Sequence, residues 1–356
     1  MGKIQKFYYD GKDRDQWLEL RQEVAGKNST DSHRVGASDT AAVCGYSKYK
    51  APLNCYFEAL GMIDNRIESL RMSLGLVSEA TNKLCYETYS SDEQVFAVQL
   101  KNYQRVNKIN NVNYIAVNED FPYIYCTLDF NRPKGQPALV DSSMYAAGEI
   151  VPHSYPVDGK NINYQYWAAS GKSSPKNYLY QMQSQMIACG VKYSELGIKI
   201  EDSDYVIQPV VWDDYMVDTI KARVSDFCQR VVKAKPLAKL WIQAKAEGDY
   251  EGMAIYEDLI GNLQPDVIGI DAEIEALEGM YLAPIDSSLI ADDSCMHHYH
   301  RYKKARRVEG IADKVKKIAK SYLVNFMGDY KTLDCGDKQK VTHYLTGKDK
   351  FYFSVK

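Results

Sequence analysis

Two carboxylates near the middle of the chain stand where metal chemistry could be done. Asp129 follows a short aromatic and β-branched run, Tyr123–Leu128, and Glu149 lies in a second run, Tyr145–Val151; both runs read as strands. Acids presented on neighbouring strands can hold a hard divalent cation against a phosphodiester. Glu79 offers a further carboxylate from a helical stretch, Leu74–Tyr89, although a helix glutamate taken alone is more often a solvated residue than a ligand. A row of polar groups follows. Tyr178, Gln181, Gln185 and Cys189 recur at spacings of three and four on a helix that runs from Pro175 to Gly190, so they share one face. Amides and a phenol in such a row suit contacts with sugar and phosphate.

Holding these groups in place needs a folded scaffold, and the composition allows one. The 356 residues are 45% hydrophobic and 26% charged, as in a soluble globular protein of one large domain or two. A net charge of −3 argues against a broad nucleic-acid surface and leaves room for a local patch. No apolar run approaches the roughly 20 residues that cross a bilayer, and the first residues, Met1–Lys6, lack the apolar core of a signal peptide. The eight cysteines are scattered without a Cys-x-x-Cys pair, which reads as reduced thiols in a cytoplasm.

Along the chain, Trp17–Arg21 reads as part of an amphipathic helix. Ser38 is placed to cap a helix over Asp39–Cys44 that Gly45 ends, and with Arg34 this start reads as an anion site or as a plain cap. A helix over Pro52–Leu60 stops at Gly61. Val95–Val98 and Tyr114–Val117 read as strands, Pro152–Ser174 as irregular, Val206–Val211 as a strand, and Trp212–Lys233 as a helix ended by Pro236. From Glu247 to Asp293 there are thirteen acidic residues and no Lys or Arg, with apolar residues recurring, which reads as folded helix. Arg301–Lys320 then carries nine basic residues, either a solvated amphipathic face or a helix tracking phosphates. Lys331–Lys356 reads as a small hairpin. Cys295, His297, His298 and His300 could ligate zinc, but adjacent ligands do not easily close one tetrahedral site. The expected organisation is a core over 1–235, an acidic helical insertion over 236–300, and a basic helix with a C-terminal hairpin over 301–356 packing back on the core.

Several blocks, in this order, resemble the YqaJ-type viral recombinase nucleases, relatives of phage lambda exonuclease in the restriction-endonuclease-like PD-(D/E)xK superfamily. They are Trp17 with Arg21, Val35–Ala42, Tyr46–Leu53, Gly75 with Glu79, Thr127–Phe130, Gly148–Pro152, and the helix carrying Pro175, Tyr178, Gln181, Gln183, Gln185, Met186 and Gly190. The resemblance implies an α/β fold with a central mixed β-sheet flanked by helices. It implies a metal-dependent exonuclease that resects linear double-stranded DNA in the 5′ to 3′ direction, in partnership with a single-strand annealing protein. A ring-shaped homo-oligomer in the cytoplasm, the host's if the chain is phage-encoded, is also implied.

Carried over residue by residue, Asp129, Glu149 and the carbonyl of Ile150 would bind Mg2+, with Mn2+ able to substitute, and Glu79 would complete the site. Gln181 and Gln183 would position substrate or water. Arg34, Ser38, Lys48, Tyr178, Arg301, Lys303 and Lys304 would meet DNA, with the acidic segment facing away from it. Two residues depart from the pattern: Val151 stands where the family's Glu-x-Lys lysine belongs, and Phe130 replaces a glycine. Lys134, Lys160 or Lys172 would then supply the amine, or the site would work without one. The alternatives are a catalytically impaired DNA- or partner-binding module on the same fold, or an endonuclease with the same site and different substrate access.

Overall fold

The computed structural model describes residues 3–11, 13–63, 70–280, 293–327, 332–334, 340–345 and 351–355. A first unit spans Met1–Ala283 and a second spans Pro284–Lys356. In the first, β1 (Ile4–Tyr8), α1 (Arg14–Val24), β2 (Val35–Gly36), α2 (Thr40–Val43), α3 (Pro52–Leu60), α4 (Leu70–Thr88) and α5 (Glu93–Lys101) precede four strands. These are β3 (Asn110–Asn111), β4 (Tyr114–Asn118), β5 (Phe121–Thr127) and β6 (Phe130–Arg132). Then come β7 (Tyr155–Ile162), α6 (Tyr164–Ala169), α7 (Lys176–Cys189), β8 (Tyr193–Ile200), β9 (Asp204–Val211), α8 (Asp214–Glu247), α9 (Tyr250–Gly261) and α10 (Asp271–Met280).

The expected mixed α/β architecture is present, with the strands divided between two mixed sheets. One has the order β1-β4-β5-β2, parallel only at β2/β5; the other has the order β3-β6-β7-β8-β9, parallel only at β7/β8. Helix α7 ties them together, packing on β4 and β5 of one sheet and on β7, β8 and β9 of the other. It is buried from Met182 through Ala188, so its glutamines must find partners inside the protein. The main core gathers Leu53, Tyr56, Ile124, Ile187, Phe227 and Trp241 between the first sheet, α3, α7 and α8.

Four expectations about local structure fail for physical reasons. Val95–Val98 is helical in α5, because the Asp92 side chain accepts from the Gln94 and Val95 amides (2.9 and 3.0 Å) and caps a helix start there. Tyr145–Val151 is not a strand: it makes turn and loop hydrogen bonds and a single isolated bridge, between Pro137 and Ile150. Pro152–Ser174 is ordered as β7 and α6; β7 escapes a periodicity reading because polar Asp158, Lys160 and Asn161 interrupt its apolar residues. Helix α8 runs through Pro236. An interior proline costs about 3 kcal/mol, offset here by core residues on both sides of it, Val231 and Ala234 before, Ala238 and Trp241 after. The boundary expected after residue 235 therefore falls inside a helix, and the acidic stretch as far as Ala283 belongs to the first unit. There α9 packs on α8, and α10 is tied to α3 where Asn54 Nδ2 donates to the Ala272 carbonyl at 2.7 Å.

Lys235 of α8 donates to the carbonyls of Gly26, Ser29 and Ser32 and so pins the loop before β2. His33 in that loop packs on the Phe227 ring at 6.0 Å between centroids. Burial, followed by the charges of Lys235 and Arg34, pushes its imidazole down from 6.5 to about 3. In that window the unfolded chain takes up a proton that the folded chain refuses, so stability is lost as pH falls below 6.5. Replacing His33 by Gln is expected to flatten the decline in urea stability between pH 7 and pH 4, by up to about 3 kcal/mol. Parallel profiles for the two proteins would refute the assignment.

In the second unit, α11 (Asp293–Met327) carries the basic run, and Arg301, Lys303 and Lys304 are exposed on it. The expected hairpin is a three-stranded antiparallel meander of β10 (Thr332–Asp334), β11 (Lys340–Leu345) and β12 (Phe351–Val355). His297, His298 and His300 are exposed on α11, and among the described residues no group of three His, Cys, Asp or Glu is arranged to hold a metal. Nor is any described helix long and apolar enough to cross a membrane.

Candidate active site

Strand β7 is the centre of the site. Asp158 and Lys160 are two apart, so they project from the same face of the strand, while Gly159 between them presents its backbone to the other. The β6/β7 pairing, with Phe130 opposite Val157, brings Asp129 beside Asp158 one step beyond the last pair. The Gly159 amide donates to Asp129 Oδ2 at 3.0 Å.

Asp158 is buried, with Lys160 against one carboxylate oxygen and two glutamine amides on the other. Lys160 Nζ lies 2.5 Å from Oδ2, and Oδ1 accepts from Gln185 Nε2 at 2.8 Å and Gln181 Nε2 at 3.1 Å. The shared helix face read from the sequence thus has a function in the fold: α7 offers two amides to one buried acid. Burial and the Asp158 charge push the Asp129 carboxyl up to about 7, with Glu79 adding to the rise and Lys160 and the Gly159 amide opposing it. Burial likewise raises Glu79, next Asp158. Burial alone would lower the Lys160 ammonium, but Asp158 and Asp129 outweigh it and hold it above the ordinary lysine value, so it is charged at neutral pH. Three acids and one lysine are therefore electrostatically one site, short of positive charge.

Gly159 is required by the neighbouring helix. A Cβ there would lie 3.1 Å from Cβ and 3.2 Å from Nδ2 of Asn82 on α4. Gly159→Ala is expected to cost about 1–2 kcal/mol through overpacking and to displace the strand that carries Asp158 and Lys160. A thermal melt and a rate measurement, both unchanged, would show that Asn82 yields freely.

The site opens into a cleft of about 1080 Å³ whose lining includes Glu79, Asp129, Gly159 and Lys160. Its walls carry Arg14, Arg21, Lys27, Arg34 and Lys50, alongside Asp39 and Glu58. Lys50 is paired with both of those acids, at 3.0 and 2.6 Å. Arg21 Nε donates to the Tyr125 hydroxyl at 3.1 Å.

The other expected site residues divide. Arg34 and Ser38 line the cleft, but Arg34 spends Nε and Nη1 on the carbonyls of Pro122 and Val24 (2.9 and 2.8 Å), bracing β2. Ser38 makes no cap: it sits exposed inside a short 3-10 turn, Ala37–Asp39. Tyr178 places its ring 5.7 Å from Lys160 Nζ, and Lys48 lies over the rings of Tyr166 and Tyr49 at 4.5 and 4.9 Å. Gln183 is structural, its Nε2 donating to the Val211 carbonyl (2.7 Å) and its Oε1 accepting from the Asp213 amide (3.2 Å). Arg301, Lys303 and Lys304 belong to the second unit.

Glu149 and Ile150 are not brought to Asp129. Both are exposed in the excursion between β6 and β7, where the Ala138 amide donates to the Glu149 carbonyl at 2.8 Å. The charges acting on Asp129 are Asp158, Lys160 and Glu79. Val151 is buried with Tyr155, Val157 and Tyr193, an apolar core position rather than an emptied lysine site. An acid-x-lysine triplet does stand beside Asp129: Asp158-Gly159-Lys160. It is open in the sequence, and a scan for acid-x-lysine triplets downstream of Asp129 finds it.

With this geometry in view, the YqaJ-like viral recombinase domain matches residues 16–192, a span that takes in Glu79, Asp129, Asp158, Lys160 and α7. This segment belongs to that family. The chain also bears a distant likeness to solved structures. An alkaline exonuclease from Laribacter hongkongensis is 16% identical, over 64% of this chain and 98% of that one, with a TM-score of 0.41. The same enzyme in complex with dAMP gives 16%, 65%, 98% and 0.42. A phage-related exonuclease from Haemophilus somnus 129PT is 14% identical, over 58% and 97% of the two chains, with a TM-score of 0.30. No curated protein matches the sequence.

Proposed function

We propose that the chain is a metal-dependent deoxyribonuclease that hydrolyses linear duplex DNA from its ends. The observation that carries this reading is that Glu79, Asp129 and Lys160 meet in the lining of a cleft that also carries Arg14, Arg21, Lys27 and Arg34, with Lys160 ion-paired to the buried Asp158. Asp129, Asp158 and Glu79 are not closed around a metal position as they stand, but their chemistry suits magnesium, which takes hard oxygens from one or two carboxylates and completes its shell with waters and substrate phosphate. Asp129 and Asp158 would hold it, with Glu79 contributing directly or through water. When bound, the ion would polarise the phosphoryl oxygen and lower the pKa of the attacking water.

The remaining work falls to the chain's own groups. Lys160, fixed by Asp158 and charged at neutral pH, would orient the water and offset the negative charge that develops on phosphorus oxygens. Gln181 and Gln185 hold Asp158 in place from α7, so they would act as positioning residues. Arg21 and Arg34, already braced by hydrogen bonds, would present fixed cationic charge to the DNA backbone.

The reading of a decayed nuclease fold rested on a missing lysine, and Lys160 removes that support. The direction, 5′ to 3′, and a ring-shaped homo-oligomer working with a single-strand annealing protein are proposed on the family resemblance alone. One assay tests the core of the reading: 5′-phosphorylated linear duplex and closed circular DNA, with magnesium, with manganese and with EDTA. Metal-dependent loss of the linear form alone, abolished in Asp158→Asn, is expected. Equal loss of the circle would make the protein an endonuclease, and no hydrolysis under any condition would leave a binding module.

A further inference from the structure

A second cavity lies apart from the cleft, behind the C-terminal end of α7. It holds about 360 Å³ and is walled by Phe121, Tyr145, Tyr193 and Trp212, with Val151 and Ile187 below. The volume lies near the lower end of the roughly 300–1,000 Å³ typical of small-molecule sites, most of which are apolar with a few placed polar groups. Here the placed groups are cationic. Lys192 and Lys221 both line the cavity, each with its ammonium over the Trp212 ring, at 5.9 and 5.8 Å, and Lys221 also over Phe121 at 5.9 Å. His153 lines it as well, and Asp120 is the one carboxylate in the lining. None of these residues takes part in the site built on β7.

We infer that this cavity binds a free mononucleotide, with the base among the aromatic walls and the phosphate at Lys192 and Lys221. Aromatic faces accept any flat base, at about 1–3 kcal/mol per stacked base. Two lysines against one aspartate leave the lining cationic, which suits a phosphate dianion and disfavours a neutral aromatic. A mononucleotide is also what the proposed reaction releases, so the physiological sense of the site rests on that reading; the binding itself does not.

The test uses the full chain in EDTA, which suppresses metal-mediated phosphate binding in the cleft, with dAMP as the probe. Calorimetry gives the affinity, and quenching of tryptophan emission that disappears in Trp212→Phe reports contact with Trp212, since Trp17 lines the cleft. Binding is expected to weaken at least tenfold in the Lys192→Ala/Lys221→Ala double variant and for deoxyadenosine, which lacks the phosphate. It is expected to be unchanged in Lys160→Ala. A short single-stranded oligonucleotide with an internal adenine should not compete, since the cavity admits one nucleotide; effective competition would assign the site to strand ends. No binding, binding lost only in Lys160→Ala, or equal affinity for deoxyadenosine would each overturn the inference. Because hydrolysis is not the readout, an inactive protein that binds dAMP here would separate this site from the nuclease reading.

Discussion

Lys160→Ala is expected to slow hydrolysis of linear duplex DNA by roughly 10²–10⁴-fold, the usual cost of removing one positioned catalytic group. The loss should fall on kcat, because the ammonium acts on charge that grows in the transition state. The fold should survive. Lys160 is only partly buried, and Asp158 keeps the amides of Gln181 and Gln185 when the ammonium is gone. Lys160 opposes the rise of the Asp129 carboxyl, so without it that group becomes harder still to ionise and the residual activity should shift to higher pH. Lys160→Arg separates charge from geometry: a longer planar guanidinium keeps the charge and misplaces it, and is expected to recover only part of the rate. Steady-state kinetics on a 5′-phosphorylated duplex decide the matter. A Lys160→Ala enzyme with wild-type kcat would remove Lys160 from the chemistry.

The second large effect concerns Val151. Were the site built on Glu149-Ile150-Val151, Val151→Lys would restore a lysine and raise activity, and Glu149→Ala would abolish it. In the fold, Val151 is 1% exposed in an apolar cluster. A lysine there would place an ammonium among apolar side chains, where uncompensated buried charges cost about 3–5 kcal/mol. Val151→Lys is therefore expected to lower the urea midpoint steeply and to reduce the folded fraction, with activity following the folded fraction. Glu149→Ala removes an exposed side chain and should change stability by no more than about 0.5 kcal/mol, with hydrolysis unchanged. Loss of hydrolysis in a fully folded Glu149→Ala protein would contradict the site on β7 directly.

The comparison of these two triplets shows where reading the sequence stops. The family and the α/β class were legible because they rest on local features that keep their form in the fold. Pro52 and Gly61 bound α3, Pro175 and Gly190 bound α7, and Gln181 and Gln185 share a face whatever they touch. Asp129 was legible for the same reason, as the acid that ends a strong strand. Glu79 was visible on its helix, though only the fold aims it at Asp129 and Asp158.

The partner acid was not decided locally. Glu149 and Asp158 are both carboxylates after aromatic residues, in stretches of similar polarity. Only the β6/β7 register selects between them, since pairing Phe130 with Val157 carries Asp158 to Asp129 and leaves Glu149 in the excursion. Polar residues that interrupt β7 made it look irregular, and burying them became affordable only once α7 and Asp129 supplied their partners. Local propensity erred at Pro236 in the same way, where packing on both sides outweighs one missing hydrogen bond. By itself, then, the sequence determined the helices bounded by proline and glycine, the family and one acid of the site, because these depend on neighbours along the chain. Which acid and which lysine stand beside Asp129 was decided by strand register and by one buried helix, because those depend on neighbours in space.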